Sequence, residues 1–223
     1  MTRASSSPPA GRDAARPDDI EARLDAALEE TFPASDPIAV SMRPAADRAV
    51  LTVGHSTRPI AEFVSLLRAH GVTRLVDVRT VPRSRHNPQF NADVLPATLA
   101  AASIGYASAP ALGGLRRTRA DSVNAGWRNL SFRGYADHMQ SAEFHDALVS
   151  LIEAAQHDRV ALMCAEAVPW RCHRSLIADA LLVHGIPVYE IASTKRLQAH
   201  RLTPFAVVQG ERITYPPDEG GHG

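Results

Sequence analysis

From Ala49 onward, short apolar runs alternate with amphipathic segments, and that alternation admits few folds. A run of four to eight apolar residues bounded by turn signals reads as a strand buried on both faces. A segment with apolar residues at three- and four-residue spacing reads as a helix resting on such a strand. Strand and helix in succession make βαβ units, which build a mostly parallel sheet with helices packed against it. The fold class expected is α/β, a single three-layer α/β/α domain.

The strands predicted are 49–53, 74–78, a short one near Tyr106, 160–164 and 187–191. Thr57 is expected to cap a helix that starts at Pro59, carries Ile60, Phe63, Val64 and Leu67 on one face, and stops at Gly71. Further helices are expected over 92–102, from a Ser141 cap to His157 with Phe144, Leu148, Leu151 and Ile152 inward, and over 172–184. FAVVQGERITYP, from Phe205, pairs two β-rich runs around Gln209, Gly210 and Glu211 and predicts a C-terminal hairpin. Two long loops, 79–90 and 112–127, interrupt the pattern; the second is too polar and glycine-containing to belong to a core. Long loops inside a compact domain commonly carry function.

The 223 residues hold one such domain, 49–217, and an extension. Residues 1–17 are Ser-, Pro-, Ala- and Arg-rich and read as disordered. Residues 18–48 read as a short helix stopped by Pro33 and followed by a linker, together a loosely docked or disordered N-terminal arm, and 218–223 as a flexible tail. No apolar run approaches the roughly 18 residues that a membrane helix needs, and the first residues lack the apolar centre of a secretory signal. Two cysteines, both in one segment, are not a disulfide framework. A cytoplasmic protein with reduced thiols is expected. Residues 1–47 carry five Arg against nine Asp and Glu, and the rest carries nineteen basic against fifteen acidic residues, so a basic body is joined to an acidic arm. Such a body suits an anionic ligand, and the arm could compete for the same surface or bind a protein partner. Twenty-three of the twenty-four basic residues are Arg, which weakens any argument from arginine counts alone.

The stretch VALMCAEAVPWRCHRSLIADAL, 160–181, reads as strand, loop and helix and concentrates the reactive groups. It holds both cysteines, Cys164 and Cys172, with Glu166, Arg171, His173 and Arg174. A thiol at a helix N-terminus feels exposed N–H groups and nearby cations, so Cys172 is the better thiolate candidate. Cys164 is either an attacking thiol, a disulfide partner or a small buried hydrophobe. In a parallel sheet the strand ends share one edge, which brings in His55, Asp77 and Arg79. His55 is the general base by residue type, and Glu166 and Asp77 are acid–base groups or orienting carboxylates. Phosphatase and sulfurtransferase loops also run from strand through a cysteine loop to a helix. Here six residues separate Cys164 from Arg171, and Glu166 would repel phosphate. Cys164, Cys172, His173 and His55 are zinc ligands by type, which leaves metal as a minor reading; Cys-x7-Cys-His is not a recognised zinc spacing and a structural site needs four ligands, so no metal site is assigned.

These motifs, GHST at 54–57, VDVRTVPRSR at 76–85, LGG at 112–114, FRGYADHM at 132–139 and CAEAVPWRCHRSLIADAL at 164–181, resemble the bacterial family known only as domain of unknown function 488. The resemblance covers roughly residues 49–193. It implies an α/β domain and a map of the site without an activity: His55, Asp77, Arg79, Pro82, Ser84, Tyr106, Tyr135, Cys164, Glu166, Cys172, His173 and Arg174. The segment LDAALEETFPASDPIAVS, 24–41, resembles a short motif of small bacterial proteins.

The reading that results is a pocket at the carboxyl edge of the sheet for an anionic small molecule, a nucleotide or a nucleic-acid base. Cys172, Cys164, His55, Glu166 and Asp77 supply the chemistry, and Arg79, Ser84, Arg171, His173, Arg174 and Tyr135 bind the ligand, with no cofactor. The alternatives are a nucleotide or nucleic-acid sensing module without turnover, and a redox switch formed by the cysteine pair.

Overall fold

A computed structural model describes residues 48–217. The expectations for the arm, 1–47, and for the tail from 218 fall outside the described residues. The strands are β1 (Val50–Gly54), β2 (Arg74–Asp77), β3 (Gly105–Ser108), β4 (Val160–Cys164), β5 (Val188–Ser193), β6 (Arg196–Ala199), β7 (Val207–Gln209) and β8 (Arg212–Thr214). The α-helices are α1 (Ile60–Ala69), α2 (Leu95–Ala100), α3 (Leu130–His138), α4 (Ala142–His157) and α5 (Arg174–Val183).

Six strands form one sheet in the order β3-β2-β4-β1-β5-β6, parallel except for β6, which pairs antiparallel with β5. β7 and β8 make a separate antiparallel pair turned by Gly210 at φ 61°, the expected hairpin. Both faces of the sheet are covered, so the strands alternate between two cores rather than between core and solvent. On one face Val50, Val160, Leu162 and Cys164 pack with Tyr135 of α3, Phe144, Leu148 and Leu151 of α4, and Leu176 and Ile177 of α5. On the other, Leu51, Val53, Ala161 and Met163 pack with Phe63 and Leu67 of α1 and Leu95 and Leu99 of α2. The three-layer α/β/α arrangement follows.

Several local expectations are corrected. The residue that precedes α1 is Pro59, with no side-chain cap, so Thr57 does not cap it. The helix expected over 92–102 is confined to Leu95–Ala100, because residues 88–90 already form a 3₁₀ turn that fixes the chain before it. Helix α5 starts at Arg174, since a 3₁₀ turn at Pro169–Arg171 leaves Cys172 and His173 just ahead of it. The loop 112–127 does contribute to the interior: Leu112 and Asn124 are fully buried, and Asn124 donates to Asp137 and accepts from the Tyr215 N–H. Ser141 caps α4 as expected, accepting from the Phe144 N–H.

The parallel register decides where the site lies. Gly54 pairs with Cys164, and Asp77 is level with Met163 and Ser108, so the ends of β1, β2, β3 and β4 are aligned along one edge. Across α5, buried Asp179 accepts from His200, from the Thr203 N–H and hydroxyl and from the Tyr215 hydroxyl, fastening the 200–215 segment to the same face.

Candidate functional site

Two cavities flank the 165–172 loop, and the cysteines line the smaller, of about 330 Å³. Its walls include Arg79, Gly114, Phe132, Tyr135, Cys164, Glu166, Arg171, Cys172 and His173. Cys164 ends β4, and the loop after it passes so close to β1 that a Cβ on Gly54 would lie 1.9 Å from the Glu166 carbonyl oxygen. Glycine at the first position of GHST is what lets the loop lie there. The 3₁₀ turn then returns the chain and places the Cys172 Sγ 2.8 Å from the Cys164 Sγ. Both thiols are free and buried.

The two sulfurs are unequal. The Cys164 S–H, donated to its neighbour, holds the Cys172 thiol well below the usual cysteine range; the hydrogen bond and charge of His173 and the charge of Arg174 add to this against burial. The Cys164 thiol is pushed up, first by that same hydrogen bond and then by burial. Cys172 is therefore the more acidic thiol of the pair and Cys164 the less acidic. His173 is oriented for its part: its Nε2–H donates to the Val78 carbonyl at 3.0 Å, which turns Nδ1 toward the Cys172 Sγ at 3.6 Å. The His173 ring also lies 5.0 Å from the Tyr135 ring.

His55, Asp77 and Arg79 form a second group beside the cavity. The Arg79 guanidinium donates to both Asp77 oxygens, at 2.8 and 2.5 Å, to the Phe90 carbonyl at 2.6 Å and to the His55 Nε2 at 3.2 Å. The His55 Nδ1–H donates to the Ser56 carbonyl at 2.8 Å, and its ring stacks on Phe90 at 4.2 Å. Both ring nitrogens are thus occupied, and burial lowers the His55 pKa from 6.5 to about 4, helped by the Arg79 charge and opposed by the Ser56 hydrogen bond and the Asp77 charge. Tyr106 donates to Asp77 at 3.0 Å, and burial together with the Asp77 charge raises its pKa to about 12.

The structure brings Arg79, Tyr135, Cys164, Glu166, Arg171, Cys172 and His173 to one cavity wall. The Tyr135 hydroxyl is committed to the Leu112 carbonyl at 2.8 Å, so it is the ring that meets the cavity. Ser84 does not arrive there: its hydroxyl accepts from the Asn87 N–H and its own N–H is held by Asn91. Arg174 is fully buried behind Cys172, donating to the Glu166 carbonyl at 2.8 Å and approaching the Glu190 carboxylate at 3.5 Å. Arg171 differs from the other two arginines: it is exposed, and its guanidinium has no hydrogen-bond or ion-pair partner among the described residues. His55 is not among the residues that line the cysteine cavity, and no group of three metal-ligating side chains occurs among the described residues.

Sequence reasoning missed Thr52 and Glu190, partners in the β1–β5 register, whose side chains hydrogen-bond to one another beneath Arg174. A threonine inside VLTVG and a glutamate inside VYEIAS, each in the middle of a strand, were the signal. The loop arginines also have partners: Arg116 bonds to the carbonyls of Gly113, Pro110 and Ala111, and Arg133 to those of Trp127 and Ala125. Gly134, in the FRGYADHM motif, has no side chain because a Cβ there would lie 2.5 Å from the Arg116 carbonyl oxygen.

The family model described as Domain of unknown function DUF488 matches residues 59–181, just over half of the chain. The chain belongs to this family. Within this DUF488 domain the matched stretch contains Asp77, Arg79, both cysteines, His173 and Arg174, the groups that meet at the sheet edge. No curated protein and no solved structure matches the chain. No helix among the described residues is long and apolar enough to cross a membrane.

Proposed function

We propose that this DUF488 protein is a thiol-dependent enzyme acting on a small anion bound at the carboxyl edge of its sheet. The observation that carries the reading is the contact of two unequal thiols, Cys164 and Cys172, 2.8 Å apart in the wall of a 330 Å³ cavity. The Cys172 thiolate attacks an electrophilic atom of the ligand, forming a bond to sulfur as the bond to the leaving group breaks. The leaving group takes the proton of Cys164, whose S–H is held mainly by the Cys172 charge and is released once that charge has gone into the new bond. Arg171, with no counter-ion in the described chain, holds the ligand's charge. Glu166 on the same wall opposes a dianionic phosphate, which favours a monoanion such as a carboxylate. His55, Asp77 and Arg79 set the shape of the sheet edge rather than exchange protons with the ligand.

Alkylation by iodoacetate and iodoacetamide, mapped by mass spectrometry between about pH 5 and pH 8, tests this, since an ordinary thiol of pKa about 8.5 reacts about tenfold faster per unit of rising pH. Cys172 should be modified before Cys164, at a rate that hardly depends on pH. Arg171→Ala should slow iodoacetate and leave iodoacetamide unchanged. An ordinary pH profile at Cys172, or equal slowing of both reagents, would defeat the proposal.

A second reading, a disulfide switch, is favoured by the 2.8 Å separation of the sulfurs. Loss of two electrons to a mild disulfide oxidant, with release of the single proton on Cys164, would join Cys164 to Cys172. Intact mass after such treatment distinguishes a pair that closes from one that does not.

A further inference from the structure

The larger cavity, of about 690 Å³, lies on the other side of the 165–172 loop, between α5, β5 and the 200–205 segment. Trp127, Trp170 and Phe205 line it, and among its polar residues Thr52, Arg174 and Glu190 come from β1, α5 and β5. Aromatic walls with a few fixed polar groups are the usual build of a small-molecule site.

Two buried donors in the described structure have no partner, the Trp127 Nε1–H and the Arg174 Nε–H, and both residues line this cavity. A buried donor left unpaired costs about 1–3 kcal/mol, so a pair of them on one cavity asks for an acceptor-bearing ligand. The same site also offers an acceptor. Glu190 Oε2 takes hydrogen bonds from Thr52 and Arg174, whereas Oε1 takes none from the described residues. A ligand that fits has a planar ring to lie against the tryptophans and an edge carrying both acceptors and a donor. At the rim, exposed Arg201 has no partner among the described residues and suits a phosphate.

We propose that this cavity binds a nucleobase-bearing ligand, a nucleoside monophosphate, and that Arg174 transmits its occupation to Cys172. The link is geometric. One Arg174 guanidinium reaches Glu190 in the larger cavity and the Glu166 carbonyl in the loop that carries the cysteines. A ligand that draws Glu190 or the Arg174 Nε–H to itself changes how much of the Arg174 charge falls on the thiolate. The binding half does not depend on the thiol-enzyme reading; the transmission half rests on it.

The chain has two tryptophans, both in this cavity, so intrinsic fluorescence reads the site directly. The full-length protein is titrated with AMP, GMP, CMP and UMP, and with ribose 5-phosphate and inorganic phosphate, which lack a base, up to about 5 mM, a range that captures dissociation constants down to weak metabolite binding. At least one nucleotide should give a saturable change that neither base-free phosphate gives. By calorimetry, Glu190→Gln should weaken it about tenfold or more, the value of a hydrogen bond to a charged group. Trp127→Phe keeps the ring wall and removes the donor, and it should weaken binding by about fivefold, which also guards against a misfolded Glu190 variant. A saturating nucleotide should change the Cys172 alkylation rate. No saturable change with any of the four nucleotides overturns the site, as does binding that both variants leave intact. Binding without a change at Cys172 overturns the transmission alone. An ordinary alkylation profile for Cys172 without ligand refutes the thiol reading and leaves the binding result standing.

Discussion

His55 should make this fold acid-sensitive in a way that can be isolated. Its ring is 2% exposed, its Nδ1–H is held by the Ser56 carbonyl, and its Nε2 lone pair faces the Arg79 guanidinium. Burial is the main cause, and the Arg79 cation 3.2 Å from Nε2 adds to it, so the folded-state pKa is about 4 against 6.5 for the free side chain. A depressed pKa stabilises the fold above the unfolded value and loses that stabilisation as pH falls toward the folded one. The window is therefore from 6.5 down to about 4. At about 1.4 kcal/mol for each unit, and with some relief from residual hydration, His55 should remove about 2 to 3 kcal/mol across it. Other groups titrate in the same range, so the measurement is a difference: urea unfolding of the natural protein and of His55→Asn, followed by tryptophan fluorescence at about pH 7 and at successive values to about pH 4.5. Asparagine is neutral throughout, and the lost stacking on Phe90 is a constant offset. The stability gap between the two proteins should narrow by about 2 kcal/mol as pH falls, because only the natural protein carries the His55 penalty. Parallel curves would refute the argument by showing that His55 accepts its proton without cost beside Arg79.

Asp77→Asn should cost about 3–5 kcal/mol in the same unfolding measurement, because it leaves the buried Arg79 without its counter-ion; a loss under about 1 kcal/mol would mean that Arg79 swings out to water. Gly54→Ala should push the Glu166 carbonyl away from β1, so that Cys172 is alkylated more slowly below about pH 7 even in protein that retains its circular dichroism. An unchanged alkylation rate would show that the loop and the thiol are not coupled.

The sheet and the convergence at its edge were legible because β1, β2 and β4 are short, mostly apolar runs bounded by turn or polar residues, and a parallel pairing brings their ends to one edge. Helix α3 was not. It buries Gly134, Tyr135, Ala136 and Asp137 in sequence, a block with no helical period, since its burial comes from the 112–124 loop folding over it and from Asp137 being satisfied by Asn124 and Ser122. Strand β6 has four residues, none of them buried, and only a tertiary edge to recruit it. At the site, residue types pointed to Cys172 and the arginines, but they carry no information on which guanidinium is captured. That depends on Asp77 lying two residues from Arg79 at one strand end and on Glu190 coming from a strand far away in sequence.

The contrast between those two captures bears on the proposed Cys172 thiolate. Arg79 meets Asp77 through two parallel contacts at 2.8 and 2.5 Å, the fork-to-fork geometry that neutralises a guanidinium most fully. Arg174 meets Glu190 through a single contact at 3.5 Å, and burial raises the Glu190 pKa against the pull of that same arginine. Both cysteines, together with Glu190, raise the Arg174 pKa against its burial, and the Arg174 charge in turn adds to the Cys164 contact in lowering the Cys172 thiol. On the proposed thiol reading, Cys172 is a second counter-ion of Arg174, with the Cys164 contact the main cause of its acidity. Because Arg174 lines the larger cavity and also holds the loop that walls the smaller one, the two cavities should respond to one another.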